Sequence, residues 1–178
     1  MKMIILGRQY KFDPGKSQIL KRGIIDPYDL SPNPDEWVVL DEYIFWSHRL
    51  MQPIVVPRWF ITDLASIPRI FRSLISVNEQ HRLASLPHDL IYTIHAMGQS
   101  GVKRKEADQV LSDFCELQRV PSVKRHAIYW AVRAGGWAVW RKKSKRMFAP
   151  IEHRMWYCRQ FSSSLDLDIS DGEYLRLE

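Results

Sequence analysis

The sequence contains few cysteines and no long apolar run. Cys115 and Cys158 are the only cysteines among 178 residues. One long-range disulfide could join them, but the framework of several bridges that stabilises small secreted domains is excluded. The first apolar run, residues 3–6, is too short for the core of a signal peptide, and no run approaches the ~20 residues of a membrane-spanning helix. We therefore expect synthesis and folding in a reducing cytoplasm, without a signal peptide or a transmembrane segment.

The composition of the chain is typical of a folded protein. Hydrophobic residues make up 46%, charged residues 26% and aromatic residues 12% of the sequence, which argues against disorder. At 178 residues the chain is long enough to bury a substantial core, and we expect a single domain, 1–178. The formal net charge of +6 favours anionic partners, but it does not choose among phosphate, nucleic acid and acidic lipid headgroups.

The periodicity of the apolar residues changes along the chain. Residues 1–60 alternate between turn clusters and β-prone runs, of which 37–40 and 43–46 are examples. From about 68 to 142 the pattern follows the helical period, within a predicted helical core that spans 61–146. The C-terminal extension, 147–178, has an acidic end. The predicted helices span 69–75, 80–97, 104–118 and 122–141. The predicted fold class is therefore α+β, with a β-rich N-terminal part followed by a core of three to four helices.

The most informative polar residues lie on two of these helices. His88 and Tyr92 are four residues apart and share a helix face, and Asp89 adjoins His88. Asp108 follows in the next predicted helix, and an antiparallel pair of helices could bring it level with His88. A histidine held by one carboxylate, beside a second carboxylate, is the arrangement of a general base next to a metal ligand. A purely structural role for these polar side chains stays open as the alternative.

Asp63 extends this arrangement toward a metal site. It lies in a predicted loop, 62–68, which follows a β-prone run. If Asp63 and Asp89 converge, their hard carboxylate oxygens suit calcium, with backbone carbonyls of the loop completing the coordination shell. Water activated by His88 would then be a competent nucleophile for an ester carbonyl.

Four short motifs occur in order between about residues 60 and 140. They read T-D-x-A-S-x-P at 62–68, H-D-x-x-Y at 88–92, A-D at 107–108 and A-V-R-x-G-G at 131–136. On these motifs the sequence resembles an uncharacterised family of small proteins encoded by phages and prophages. The resemblance implies a protein made in the host cytoplasm, which could then be incorporated in the virion, with phage structural proteins among its partners.

The same stretch is similar to the small phospholipase A2 enzymes of bacteria and fungi. The shared features are a calcium loop, an H-D-x-x-Y helix, a second helix bearing the aspartate of the dyad, and a third helix, here with its motif at 129–135. The resemblance implies that His88 is the general base, that Asp108 orients it, and that Tyr92 braces Asp108 by a hydrogen bond. The implied calcium ligands are Asp63, the backbone carbonyl of Leu64, and Asp89.

The sequence departs from those enzymes at three points. Ala65 replaces the cysteine of the calcium loop, and the N-terminal β-rich part has no counterpart in them. Pro87 directly precedes His88. This proline must either kink the helix or lie in its first turn, for instance with Ser85 as the cap.

A basic and aromatic segment surrounds the end of the last predicted helix. One interpretation is a solvated helix end, where cations interact favourably with the helix dipole. The other is contact with a membrane or another anionic surface, since aromatic and cationic side chains suit lipid headgroups. They would also suit a nucleic-acid backbone or an acidic protein. The residues of this segment are Trp137, Trp140, Arg141, Lys142, Lys143, Lys145 and Arg146.

The leading prediction is a phage-encoded, phospholipase A2-like, calcium-dependent lipid ester hydrolase that uses a His/Asp dyad and activated water. The alternative is a non-enzymatic phage virion or tail-accessory protein. A DNA-binding regulator ranks third. Residues 104–118, a turn at 119–122 and the helix from 123 outline a helix-turn-helix, but that second helix is rich in Trp, Ala and Gly rather than in base-reading polar residues.

Overall fold

A β-rich N-terminal region precedes three helices in the computed structural model, which describes residues 1–25, 37–62, 79–98, 101–141 and 148. The predicted α+β class is therefore confirmed. The strands in the described ranges are β1 (Lys2–Ile5), β2 (Arg8–Lys11), β3 (Gln18–Lys21), β4 (Ile24–Ile25), β5 (Trp37–Asp41), β6 (Tyr43–Ser47), β7 (Gln52–Val56) and β8 (Ile61–Thr62). The helices are α1 (Glu79–Ala96), α2 (Arg104–Leu117) and α3 (Ser122–Arg141).

The strands form three small antiparallel sheets. β1 pairs with β2, β6 lies between β3 and β7, and β5 lies between β4 and β8. Leu6 and Gly7 form the turn between β1 and β2, and both have positive φ, 48° and 73°. Two positive φ values are what a type I′ hairpin turn requires, because its twist matches that of the paired strands. Gly7 adopts this conformation without a steric cost.

The sheets and the helices share one apolar core. Every residue of β6 is buried, so both faces of this central strand are covered. This agrees with its sequence, in which apolar and polar residues do not alternate. Phe45 of β6 meets Phe114 of α2 edge to face, with ring centroids 5.1 Å apart. Leu86 of α1 and Val132 of α3 belong to the same buried cluster. The three helices are therefore held in place by the sheets as well as by one another.

β8 carries the β-rich region slightly beyond the predicted boundary at residue 60. Ile61 and Thr62 pair with Val38 and Trp37 of β5. This short pairing fixes the direction of the chain where it leaves the sheets, and the side chain of Thr62 is thereby presented to α1. The predicted helix 69–75 and most of the C-terminal extension lie outside the described residues. Phe148 is described, and it forms an antiparallel bridge to Phe60.

The helix bounds agree with the sequence pattern to within one residue at each end. Because α1 begins at Glu79, Pro87 lies in its interior. The option of a first-turn Pro87 with Ser85 as the cap is therefore wrong. An interior proline lacks the N–H of one helical hydrogen bond and costs about 3 kcal/mol in an isolated helix. Buried neighbours such as Leu86 and Leu90 offset this cost through tertiary packing. None of the three described helices is long and apolar enough to cross a membrane.

Replacing Phe114 by alanine should lower the free energy of unfolding by about 3–5 kcal/mol, because a large buried ring is lost and a cavity is left against Phe45. Leu117→Ala on the same helix is the matched control, since Leu117 is 38% exposed. We expect it to cost about 1 kcal/mol or less. Urea unfolding measures both changes, and equal losses would contradict this placement of α2.

Candidate active site

Asp108 lies at the centre of a buried polar cluster to which all three helices contribute. Its side chain is completely buried. The carboxylate Oδ1 accepts a hydrogen bond from the Tyr92 hydroxyl at 2.5 Å and lies 3.2 Å from His88 Nε2. The other oxygen, Oδ2, accepts a hydrogen bond from the Arg133 guanidinium at 2.6 Å. A buried carboxylate without such partners would be strongly destabilising, so these contacts contribute to the stability of the folded state.

The helical repeat places the members of this cluster on facing sides. His88 and Tyr92 are one turn apart on α1, and their ring centroids are 4.3 Å apart. Ala107 and Asp108 near the start of α2 are both fully buried, so this turn faces the core. The structure therefore brings together the three residues for which the sequence predicted catalytic roles.

Arg104 adds a second cation beside Asp108. Its Nη1 lies 3.7 Å from Asp108 Oδ2, an i,i+4 relation within α2. The same nitrogen donates hydrogen bonds to the backbone carbonyls of Arg133 at 3.0 Å and Val132 at 3.5 Å. Arg104 thus connects α2 to the backbone of α3 at Arg133, whose side chain pairs with Asp108.

Gly136 allows α3 to approach the Tyr92 hydroxyl closely. A Cβ atom at this position would lie 2.7 Å from the Tyr92 hydroxyl oxygen, which is closer than such atoms can approach without movement. Other side-chain atoms near that position, including Arg104 Nη1 at 3.6 Å, are at ordinary contact distances. The glycine therefore leaves space for the hydroxyl that donates to Asp108.

Asp89 occupies the opposite edge of the His88 ring. Its Oδ1 lies 3.3 Å from His88 Nδ1, and its Oδ2 accepts a hydrogen bond of 2.5 Å from the Thr62 hydroxyl. Thr62 is the last residue of β8. The site is thus connected to the sheets on one side and to α2 and α3 on the other.

Both ring nitrogens of His88 face carboxylates, which accept hydrogen bonds and do not donate them when ionised. Each nitrogen must carry a hydrogen to satisfy its partner, and this requires the imidazolium form. Burial alone would lower the pKa of His88, but the hydrogen bonds and charges of Asp108 and Asp89 outweigh it and raise the pKa to about 9. His88 in this arrangement is a cation at neutral pH.

The hydrogen bonds within the cluster also shift the pKa values of Asp108 and Tyr92. Burial acts to raise the pKa of Asp108, but hydrogen bonds from His88, Tyr92 and Arg133 outweigh it and hold that pKa below its usual value. Burial and the hydrogen bond to Asp108 raise the pKa of Tyr92 well above its usual value. Tyr92 therefore remains a protonated donor, and Asp108 remains an anion over the whole physiological range.

The sequence matches the family described as "Protein of unknown function (DUF1353)" over residues 37–132, more than half of the chain. The chain belongs to this family. Membership of an uncharacterised family is thereby confirmed, whereas the phage origin stays a prediction. No curated protein and no solved structure matches the chain. The DUF1353 match extends from β5 to Val132 in α3 and includes His88 and Asp108. It stops just before Arg133 and Gly136.

The predicted calcium ligands are only partly described. Asp89 supplies one carboxylate, and its side chain is 10% exposed. Asp63 and Leu64 lie outside the described residues. Within the described part of the chain, no group of three His, Cys, Asp or Glu side chains is arranged as a metal site. Of the predicted calcium ligands of this DUF1353 protein, the described residues therefore include Asp89, and the remainder of the set rests on the sequence alone.

The basic and aromatic segment divides between surface and interior. Trp137 is 54% exposed, and the Arg141 guanidinium carbon lies 5.4 Å from the centroid of its ring. Trp140 is instead half-buried, stacked on His95 at 3.7 Å and in edge contact with Tyr92 at 4.7 Å. Four predicted contact residues lie outside the described ranges: Lys142, Lys143, Lys145 and Arg146.

Sequence reasoning missed several residues that complete the site. Arg133 and Gly136 were part of the A-V-R-x-G-G motif, but no role followed from the motif alone. The spacing of Arg104 and Asp108 was an available signal, since a cation four residues from a carboxylate shares its helix face. Thr62 carried no signal beyond its place in the 62–68 motif.

Gly136→Ala should destabilise the protein by about 1–3 kcal/mol, because the added Cβ meets the Tyr92 hydroxyl. In a Tyr92→Phe background the conflicting oxygen is absent. The same glycine substitution should then be neutral, or stabilising by up to about 1 kcal/mol, since alanine favours the helix. A double-mutant cycle by urea unfolding measures the coupling. An equal penalty in both backgrounds would show that Gly136 has another role.

The protein should lose stability as the pH rises from about 6.5 to about 9, because His88 binds its proton more tightly in the folded than in the unfolded chain. The stabilisation is fully present below the unfolded pKa of about 6.5 and disappears above the folded pKa. We expect the free energy of unfolding to fall by an amount on the order of 3 kcal/mol over this window.

His88→Gln is the reference for that measurement, since it removes the titrating ring. Urea unfolding at several pH values should show a much flatter profile for the variant in this window. Parallel profiles would mean that His88 is not the responsible group. An NMR titration of the His88 ring in the wild-type protein measures its pKa directly.

Proposed function

We propose that this protein is a phage-encoded, phospholipase A2-like hydrolase that cleaves a carboxylic ester of a lipid with the help of calcium. The observation that carries the proposal is the contact of His88 Nε2 with Asp108 at 3.2 Å, while Tyr92 donates to the same carboxylate oxygen. This arrangement fixes the ring orientation of His88 and stabilises positive charge on it. Both are properties that a general base needs when it takes a proton from water.

In this mechanism the reacting atom is His88 Nδ1, because Nε2 is committed to Asp108. Nδ1 now faces Asp89. It can accept a proton from water only after Asp89 has turned away and the ring has lost one proton. Asp108 would then hold the imidazolium that forms as water attacks the ester carbonyl, and no covalent intermediate with the protein is needed.

Asp89 is the described residue that links the base to calcium. Its carboxylate is a hard-oxygen donor, and we propose that Asp63 and the backbone carbonyl of Leu64 complete the ligand set. Bound calcium would supply positive charge that stabilises the oxyanion of the transition state. Engagement of Asp89 with the cation would also account for the release of His88 Nδ1.

A second candidate function is a non-enzymatic virion or tail-accessory protein. The observation that favours it is that both ring nitrogens of His88 already have carboxylate partners, while the residue is only 4% exposed. A buried cation between two anions would then serve to fix α1 against α2 and β8. In this case the phage structural proteins are the partners, and no reaction takes place.

The hydrolase is tested by release of fatty acid from mixed phospholipid micelles in calcium and in chelator. We expect calcium-dependent release by the wild-type protein. His88→Gln should reduce it by about 10²–10⁴-fold, because the general base is lost. His48→Gln is the matched control, since His48 is an exposed histidine outside the site.

Three further results test the proposal. Asp89→Asn should abolish calcium binding measured by calorimetry while leaving the fold intact by circular dichroism. Absence of release by the wild-type protein in calcium would reject the hydrolase and leave the structural role. Equal release by wild type and His88→Gln would reject His88 as the base.

A further inference from the structure

Helix α3 exposes an apolar face on the side that does not pack against α1 and α2. Val123, Trp130 and Trp137 are 82%, 65% and 54% exposed. They are spaced by seven residues, close to two helical turns, so they lie along one line. The buried residues of α3, which include Ala131, Val132 and Gly136, face α1 and α2 instead. We call the line of Val123, Trp130 and Trp137, together with Arg141, the outer face of α3.

The charge of α3 restricts which partner fits this face. The helix contains four Arg and Lys residues and no Asp or Glu. Arg133 points inward to Asp108, and Arg125 pairs with Glu116 of α2. Arg141 lies over the ring of Trp137 and so contributes its charge to the outer face itself. Two copies of this face would bring like charges together, which disfavours self-association and favours an anionic partner.

The side chains of the outer face identify the class of anionic partner. Indole rings have an apolar body and one polar N–H, and they are favoured at the boundary between water and lipid. Between the two tryptophans the exposed position is Ala134, which offers no hydrogen-bonding group. A nucleic-acid interface would instead present side chains that hydrogen-bond to bases and phosphates. Apolar area with an adjacent arginine matches an anionic phospholipid surface.

We propose that the outer face of α3 docks the protein on anionic phospholipid surfaces. Trp130 and Trp137 insert at the level of the headgroups, and Arg141 contacts their phosphates. The proposal rests on the proposed function for its choice of lipid, and it deepens that function by naming the surface on which a lipid substrate would be met. Docking does not depend on catalysis, however, and it is measured separately from ester cleavage.

The test is co-sedimentation of the full chain with vesicles, in chelator so that calcium-dependent cleavage does not occur. One set of vesicles contains phosphatidylcholine only, and the other contains phosphatidylcholine mixed with phosphatidylglycerol. We expect binding to the mixed vesicles, with a blue shift of tryptophan emission, and weak binding to phosphatidylcholine alone. Trp130→Ser combined with Trp137→Ser should reduce binding at least about tenfold, because the two indoles that insert among the headgroups are lost.

Matched controls distinguish binding by the outer face of α3 from non-specific effects of exposed apolar side chains and of net charge. Ile4→Ser removes an apolar side chain that is 72% exposed on β1, and it should bind as the wild type does. Arg141→Glu should weaken binding about tenfold or more, whereas Lys105→Glu, the same change of charge at an exposed position of α2, should have a smaller effect. All these positions are exposed, so the variants should fold.

Three results would overturn the docking proposal. They are equal binding by the double Trp variant and the wild type, no preference for phosphatidylglycerol, and a dimer in solution that dissociates when the two tryptophans are replaced. Vesicle binding in chelator, together with no fatty-acid release from micelles in calcium, would reject the hydrolase and retain the docking face. Release from micelles by a protein that does not bind vesicles would reject docking and retain the hydrolase.

Discussion

The arrangement of the three helices depends on one buried anion. The Asp108 side chain has no exposed surface, so every favourable interaction of its charge must come from the protein. Tyr92 and His88 serve one oxygen and Arg133 serves the other. Because these donors come from α1 and α3, the carboxylate on α2 fixes both neighbouring helices at once. A shift of either helix would leave one oxygen of the buried carboxylate without its donors from that helix.

The requirement at Asp108 extends to residues that do not touch it. The Tyr92 hydroxyl reaches the carboxylate only because α3 has no side chain at Gly136. On the far side of His88, Asp89 is held by Thr62 at the end of β8. The pairing of β8 with β5 therefore contributes to the position of the histidine ring. In this way the β-rich region, which contributes only Thr62 to the cluster among the described residues, takes part in building it.

The helices, and the shared face of His88 and Tyr92, could be predicted from the sequence because both follow from the helical period. The spacing of His88 and Tyr92 defines a face, and a short connection brings the next helix beside it. The donor to the second oxygen of Asp108 could not be found in this way. A long side chain such as Arg133 can point to solvent or inward from the same position, and only the packed structure decides. Pro87 left two options open in the sequence, and tertiary packing places it in the helix interior rather than at a helix start.

The contacts around Asp108 serve an enzyme and a scaffold equally well, and for this reason they do not distinguish the two. A general base and a buried structural cation both need the Nε2 contact and its bracing by Tyr92. The difference lies at Nδ1, where Asp89 now binds. If His88 is a base, Asp89 must bind another partner more favourably than His88 during the reaction. If His88 is a structural cation, Asp89 must stay bound to it. The function of the site therefore depends on whether another partner, such as a cation, competes with His88 for the carboxylate of Asp89.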